Sequence, residues 1–358
     1  MERVLTPANL RKAWHQVKAN HGAPGVEGMT SEDFPAFARE HWASIRQTRR
    51  DETYQPSPVR RTEMPQRHGQ GKRVLGIPTV VERVIQQASA QVLGPLFDPD
   101  FSAASFGVRP GRSAHQAVKQ IPRYSQAGYR VAVDMDLAKF FDRVNHEALL
   151  ARGARKVRDK AVLRLMGQYL RAGGVVGESL QPTETGVPQG SPLSPLWSNV
   201  RLDDWDKERE RRGHRFARSC DDFLVVVKSP RAGERVKASL TRFLQHHLKR
   251  EIKESKSTVG PTKAGGFLGF TFQGTRLSWS PEAFQDFRHR LRELTGRSWG
   301  VSRAYRISTT STSGAGCSTL AGRSTTVRCP HSRPGCGGAC AGASGSSGAS
   351  SAPQSARC

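Results

Sequence analysis

Two short segments, VAVDMDLAKFFDRVNH (131–146) and FARSCDDFLVVVKS (216–229), constrain this chain more than any others. Each reads as β-strand, and each ends or breaks its apolar run with carboxylates. Asp134 and Asp136 close the first run. The adjacent pair Asp221–Asp222 sits between the strand-like Phe216–Ala217 and Phe223–Val227. Carboxylates gathered at strand ends make a dense oxygen site, the donor set that hard divalent cations such as Mg²⁺ prefer. Two such ions about 4 Å apart can clamp the attacking and leaving oxygens of a nucleotidyl transfer.

The charge balance fits that chemistry. The 358 residues include 56 Lys and Arg against 31 Asp and Glu, a formal net charge of +25. The surplus is spread along the chain rather than gathered in one tail, which points to a polyanionic partner, nucleic acid before membrane surface. No apolar run approaches the length needed to span a bilayer, so no membrane role is expected. The opening MERVLTPANL has no apolar signal core. Five of the six cysteines (Cys317, Cys329, Cys336, Cys340 and Cys358) lie beyond residue 307, and only Cys220 is in the body. That distribution is no disulfide framework for the fold, and a reducing bacterial cytoplasm is the expected location.

Along the chain, Leu10, Trp14 and Val17 recur at helical spacing before the turn-rich HGAPGVEGMT (21–30). Residues 54–79 read as strands around a basic hairpin, 82–97 as a helix, and SFGVRPGRSAHQAV (105–118) as a loop. A helix bearing Val162, Leu165, Met166 and Tyr169 follows the acidic strand. GVPQGSPLSPLWSN (186–199) is a Gly/Pro-punctuated loop running into a helix toward Glu210. Beyond the Asp–Asp hairpin come a helix with Val236, Leu240, Phe243 and Leu244 on one face, and an apolar strand, GFLGFTF (266–272). Strands and helices mix without strict alternation, predicting an α+β fold on a largely antiparallel sheet. From Ser308 to Cys358 there is no Lys, Asp, Glu, Phe, Trp or Tyr, and this stretch is expected to be disordered. Its Cys/His spacing at CPHSRPGCGGAC lacks an apolar scaffold for zinc.

These blocks together resemble the reverse transcriptases encoded by mobile group II introns. VRRTEMPQ, GKRVLGIPT, FDPDFSAASFGVRPGRSAHQAV, VDMDLAKFFDRVNH, TGVPQGSPLSPLWSN, RSCDDFLVVVKS, ESKS and GFLGF occur in that family's order, over roughly residues 5–305. The resemblance implies a right-hand polymerase fold: fingers over 1–127, a palm with the catalytic carboxylates over 128–280, and the start of a thumb over 281–307. The match stops near Ile307, and a frameshift in a GC-rich gene is the simplest account of residues 308–358.

The resemblance assigns Asp136, Asp221 and Asp222 as catalytic, metal-binding carboxylates for two Mg²⁺ ions, with Mn²⁺ as the alternative metal. Asp136 is preferred to Asp134 because the family's aspartate stands five positions before the second aromatic of the FF pair. That second aromatic, Phe141, corresponds to the residue that packs beneath the incoming sugar and excludes a 2′-hydroxyl. Gln189 matches a contact to the incoming nucleotide, Arg60 and Arg73 match residues that grip the triphosphate, and Lys256 matches a lysine near the pyrophosphate. Arg109 and Arg112 are assigned to nucleic acid. The implied activity is Mg²⁺-dependent addition of dNTPs to a DNA primer on an RNA template, in the service of intron mobility, with intron RNA as template. The alternative is a non-processive remnant that acts at most as an RNA-binding protein. The chain departs from the family's Tyr-Ala-Asp-Asp with Ser219-Cys220-Asp221-Asp222, losing a ring that supports the primer end.

Overall fold

In the computed structural model the described residues are 1–65, 72–135, 144–177, 179–248 and 257–294. Asp136, Phe141, Lys256 and the segment 308–358 lie outside them, as does the side chain of Arg73.

The N-terminal half is built on helices. α1 (Pro7–Ala19) buries Leu10, Ala13 and Val17, the face read from the sequence, against α3 (Val80–Phe97). α3 starts two residues earlier than expected, because the Thr79 side chain accepts from the Glu82 amide at 3.2 Å and caps the first turn. α2 (Phe34–Arg50) was not anticipated; Phe34, Phe37, Trp42 and Ile45 form its apolar side and pack on the same core. β1 (Val59–Pro65) and β2 (Lys72–Ile77) pair antiparallel, as the basic hairpin predicts. The sheet order is β2-β1-β4-β5, completed by β4 (Gly174–Val176), parallel to β1, and β5 (Ser179–Gln181). α5 (His146–Ala154) and α6 (Lys160–Arg171) close the cluster with Leu149, Val162, Leu165, Met166 and Tyr169.

The second sheet, of order β6-β7-β3-β8, is antiparallel throughout. It comprises β3 (Val131–Asp134), β6 (Arg215–Ser219), β7 (Asp222–Val227) and β8 (Thr258–Pro261). Both faces are covered, which explains the unbroken apolar runs that the sequence shows here. Val131, Val133, Phe223, Val225 and Val227 meet Leu202 and Trp205 of α7 (Ser194–Arg211) and Leu240 and Leu244 of α8 (Pro230–Leu248). The alternate residues Ala132, Ala217, Leu224 and Val226 meet Ala117, Val118 and Ile121 of α4 (Ala114–Gln126), together with Phe267 and Phe272. β9 (Phe270–Gln273) and β10 (Arg276–Trp279) form a hairpin, and α9 (Pro281–Leu294) follows it.

α4 corrects one expectation. The Gly/Pro-rich sequence predicts a loop through residues 114–118, yet Ser113 and Gln116 form a complete capping box that starts a helix there.

Candidate active site

Asp221 and Asp222 sit at the tip of the β6–β7 hairpin. Ser219 pairs with Asp222, so Cys220 and Asp221 make a two-residue turn. Two-residue hairpin turns require positive φ, and Cys220 adopts φ 58° without being glycine. The turn is therefore strained locally and must be held from outside.

Arg218, two residues before the turn, does the holding. It is fully buried and pairs with the equally buried Asp206 of α7, Nη2 to Oδ2 at 2.6 Å and Nε to Oδ2 at 2.9 Å. The same guanidinium donates to Asn199 Oδ1 at 3.0 Å, to Ser105 Oγ at 2.7 Å and to the Cys220 carbonyl at 2.8 Å. Asp206 also accepts from Arg209, which lies 4.0 Å from the centre of the Phe216 ring. Burial pulls the Arg209 guanidinium below its ordinary value, and Asp206 opposes that pull. Asp206 is the shared partner of both guanidiniums, so its removal would strand two buried charges, a change that typically costs about 3–5 kcal/mol.

The loop before α4 locks against the hairpin from the other side. The Phe106 amide donates to the Arg218 carbonyl and the Arg218 amide to the Ala104 carbonyl, both at 2.8 Å. Asn199 Nδ2 donates to the Gly107 carbonyl at 2.9 Å, tying the loop to α7. A methyl group at Gly107 would lie 2.2 Å from the Cys220 backbone nitrogen, so glycine is required for this approach. None of Ser105, Gly107, Asn199, Asp206 and Arg218 was singled out from the sequence. The available signal was an arginine inside an apolar strand, with an asparagine and an aspartate seven residues apart on one face of the preceding helix.

The donor set at the tip suits a hard divalent cation. Two adjacent carboxylates offer oxygen only, and burial together with Asp221 pushes the Cys220 thiol up, so it stays protonated at neutral pH and does not compete as a soft ligand. Among the described residues no group of three metal ligands is assembled. β3 runs beside β7 with Asp134 opposite Leu224 and ends two pairs short of Asp222.

The other assigned residues fall in two places. Arg60 lies on β1 opposite Ile77, its Nε buried without a hydrogen-bond partner among the described residues. The backbone of Arg73, on β2, pairs with Met64 of β1. Gln189 joins them, because its carbonyl accepts from the Gly76 amide of β2 at 2.8 Å. Gly190 turns that loop at φ 108°. Arg109 and Arg112 lie instead on the loop that grips the hairpin. Arg109 is buried and directed inward: its Nε donates to Asp98 at 2.7 Å, and its other nitrogens reach the carbonyls of Ser102, Ser105 and Asp98 at 2.6, 2.8 and 2.9 Å. Its place is that of a residue shaping the loop, which differs from the nucleic-acid contact expected of it. Arg112 is half-buried and stacks over Phe106, 5.4 Å from the ring centre.

An antiparallel sheet covered by helices on both faces, with adjacent carboxylates displayed on one hairpin, defines a palm-type polymerase domain. The profile of the reverse transcriptase (RNA-dependent DNA polymerase) family matches residues 65–272, and the chain belongs to that family. Among curated proteins it is similar to the group II intron-encoded protein LtrA of Lactococcus lactis subsp. cremoris, with 31% identity over 338 residues, 76% of this chain and 56% of that protein. Protein YkfC of Escherichia coli is 28% identical over 77% of this chain and 82% of its own length. The chain thus spans little more than half the length of the Lactococcus protein. Among solved structures, telomerase from Candida albicans superposes with a TM-score of 0.50 at 14% identity, covering 72% of this chain and 53% of that one. That likeness concerns the fold. Among the described residues no helix is long and apolar enough to cross a membrane.

Proposed function

We propose that this chain is the RNA-directed DNA polymerase of a group II intron, adding dNTPs to a DNA primer on an intron RNA template. The observation that carries the reading is the pair Asp221–Asp222 on a strained hairpin, clamped by the buried Arg218–Asp206 pair at the edge of the palm sheet. A site that must place metal-bound oxygens within a fraction of an ångström needs such a rigid frame. In this reading residues 1–127 are fingers and 128–280 palm. Asp136 completes the carboxylate set, which requires it to lie opposite Asp222, as two further residues of the β3–β7 register would bring it.

The reaction joins the primer 3′-oxygen to the α-phosphorus of the dNTP, and the bond from that phosphorus to the leaving pyrophosphate breaks. Two divalent ions, when bound, would lower the pKa of the 3′-hydroxyl, whose proton leaves to water, and would neutralise the departing pyrophosphate. Asp221, Asp222 and Asp136 hold those ions. Arg60 and Arg73, on the β1–β2 hairpin, take the triphosphate, and Lys256 assists at the pyrophosphate. Gln189, pinned to β2 through Gly76, contacts the nucleotide, and Phe141 excludes a 2′-hydroxyl.

Asp221→Asn or Asp222→Asn should abolish dNTP incorporation on a primed RNA template while leaving RNA affinity within a few-fold, since carboxylates hold metal and not template. Incorporation retained by either variant would sink the assignment.

A further inference from the structure

A concave cleft of about 530 Å³ opens on the far side of the clamping loop, between α4, the end of α7 and the first residues of β6. Gln116, Lys119, Gln120, Arg123 and Tyr124 line it from α4, at the spacing of one helix face. Arg112 joins from the loop, and Arg215 from the start of β6, the edge strand of the palm sheet. Lys119, Arg123 and Arg215 are exposed, and no carboxylate among the described residues forms an ion pair with them.

Among the described residues of the lining Glu210 is the only acidic one, and it accepts a hydrogen bond from the Ser102 hydroxyl at 2.5 Å. His214 is held neutral at physiological pH by burial and by Arg212 and Arg209, so it adds no charge. The cleft is therefore a cationic concavity in which burial and local partners have removed little of the charge. It is also separate from the carboxylates: the four steps along the strand from Arg215 to Ser219 span about 13 Å.

We propose that this cleft binds single-stranded RNA outside the polymerising site, with Lys119, Arg123 and Arg215 on successive phosphates and Tyr124 as a stacking surface for a base. Lys119 and Arg123 are one helical turn apart on the same face, about 6 Å between Cβ atoms, which suits neighbouring phosphates of one strand. A volume near 530 Å³ lies in the range of sites that hold a small ligand, so it accommodates a nucleotide or two and not a duplex. The half-buried Tyr124 ring supplies the flat apolar wall that sequence-tolerant strand binders use. A lipid surface has no means of entering a concavity of this size.

The test measures the affinity of the whole chain for a labelled single-stranded RNA across a salt series. In Lys119→Gln/Arg123→Gln/Arg215→Gln, the slope of log affinity against log salt should be shallower by about 2, at roughly 0.7 per lost phosphate contact on a single strand. Wild type and variant should then converge by about 20-fold between 50 and 200 mM salt. Incorporation on a short pre-annealed primer–template should persist, which separates this site from the polymerase reading. An unchanged slope overturns the proposal. So does the loss of polyglutamate binding in the variant while the RNA slope stays as in wild type, a result that would assign the cleft to an acidic protein. Should the triple variant fail to fold, Lys119→Gln alone must still flatten the slope by about 0.7.

Discussion

The hairpin tip shows how a single residue can decide a site. Cys220 takes a backbone conformation that costs a non-glycine residue on the order of 1–2 kcal/mol, and the Arg218 side chain holds its carbonyl in place. Gly107 faces it with no room for a methyl group. Gly107→Ala should therefore push loop and hairpin apart, destabilising the protein by about 1–3 kcal/mol and depressing dNTP incorporation more than RNA binding. Thermal unfolding and primer extension on the same preparation check this, and a fully active variant would show that the loop does not position the carboxylates. Arg218→Met leaves Asp206 paired with Arg209 but strips Asn199 Oδ1, Ser105 Oγ and the Cys220 carbonyl of their buried donor, and should cost about 1–3 kcal/mol, read from denaturant unfolding. A variant as stable as wild type would mean that the buried pair contributes nothing net.

At the scale of elements, α4 joins the antiparallel sheet to the basic cleft. One face packs Ala117, Val118 and Ile121 on the palm sheet, and the opposite face lines the basic cleft. Its first turn depends on the capping box of Ser113 and Gln116. Ser113→Ala should lower stability by about 1 kcal/mol and the melting temperature by roughly 2–4 °C, with the larger relative effect on RNA affinity at low salt. A scan showing no shift would mean that tertiary contacts alone set the start of the helix. Elsewhere helix boundaries moved for the same kind of reason. α3 begins at Val80 because Thr79 caps it, a local signal weaker than the apolar periodicity that begins further on.

Across the whole molecule, the most consequential buried charge outside the site is Glu82. Burial raises its pKa, and its Oε2 has no hydrogen-bond partner among the described residues, although Tyr54 donates to Oε1 at 2.6 Å. Between the ordinary carboxylate range and the raised folded value, the folded protein keeps a proton that the unfolded chain has released. Stability from this group is therefore full at low pH and falls as pH rises through the folded pKa. Glu82→Gln should flatten that fall, so unfolding midpoints followed from about pH 4 to 8 should show wild type losing stability relative to the variant. Parallel curves would place the charged form of Glu82 comfortably in the fold.

Local pattern and motif order sufficed for the strands β3, β6 and β7, the helices α1, α6 and α8, the α+β class and the position of Asp221–Asp222 at a strand-to-strand hairpin. Those features depend on neighbours within a few positions, through strand alternation, helical spacing and turn chemistry. α2 lies in a basic stretch whose apolar side shows its purpose only against the core that it covers. The roles of Arg109 and Arg218 were likewise hidden, because in a chain of such positive charge nothing local separates an arginine aimed at nucleic acid from one aimed at Asp98 or Asp206. Only the fold, by bringing partners 11 or 12 residues away in sequence together with Ser105 from more than a hundred, decided which charges are structural and which are left to face a ligand.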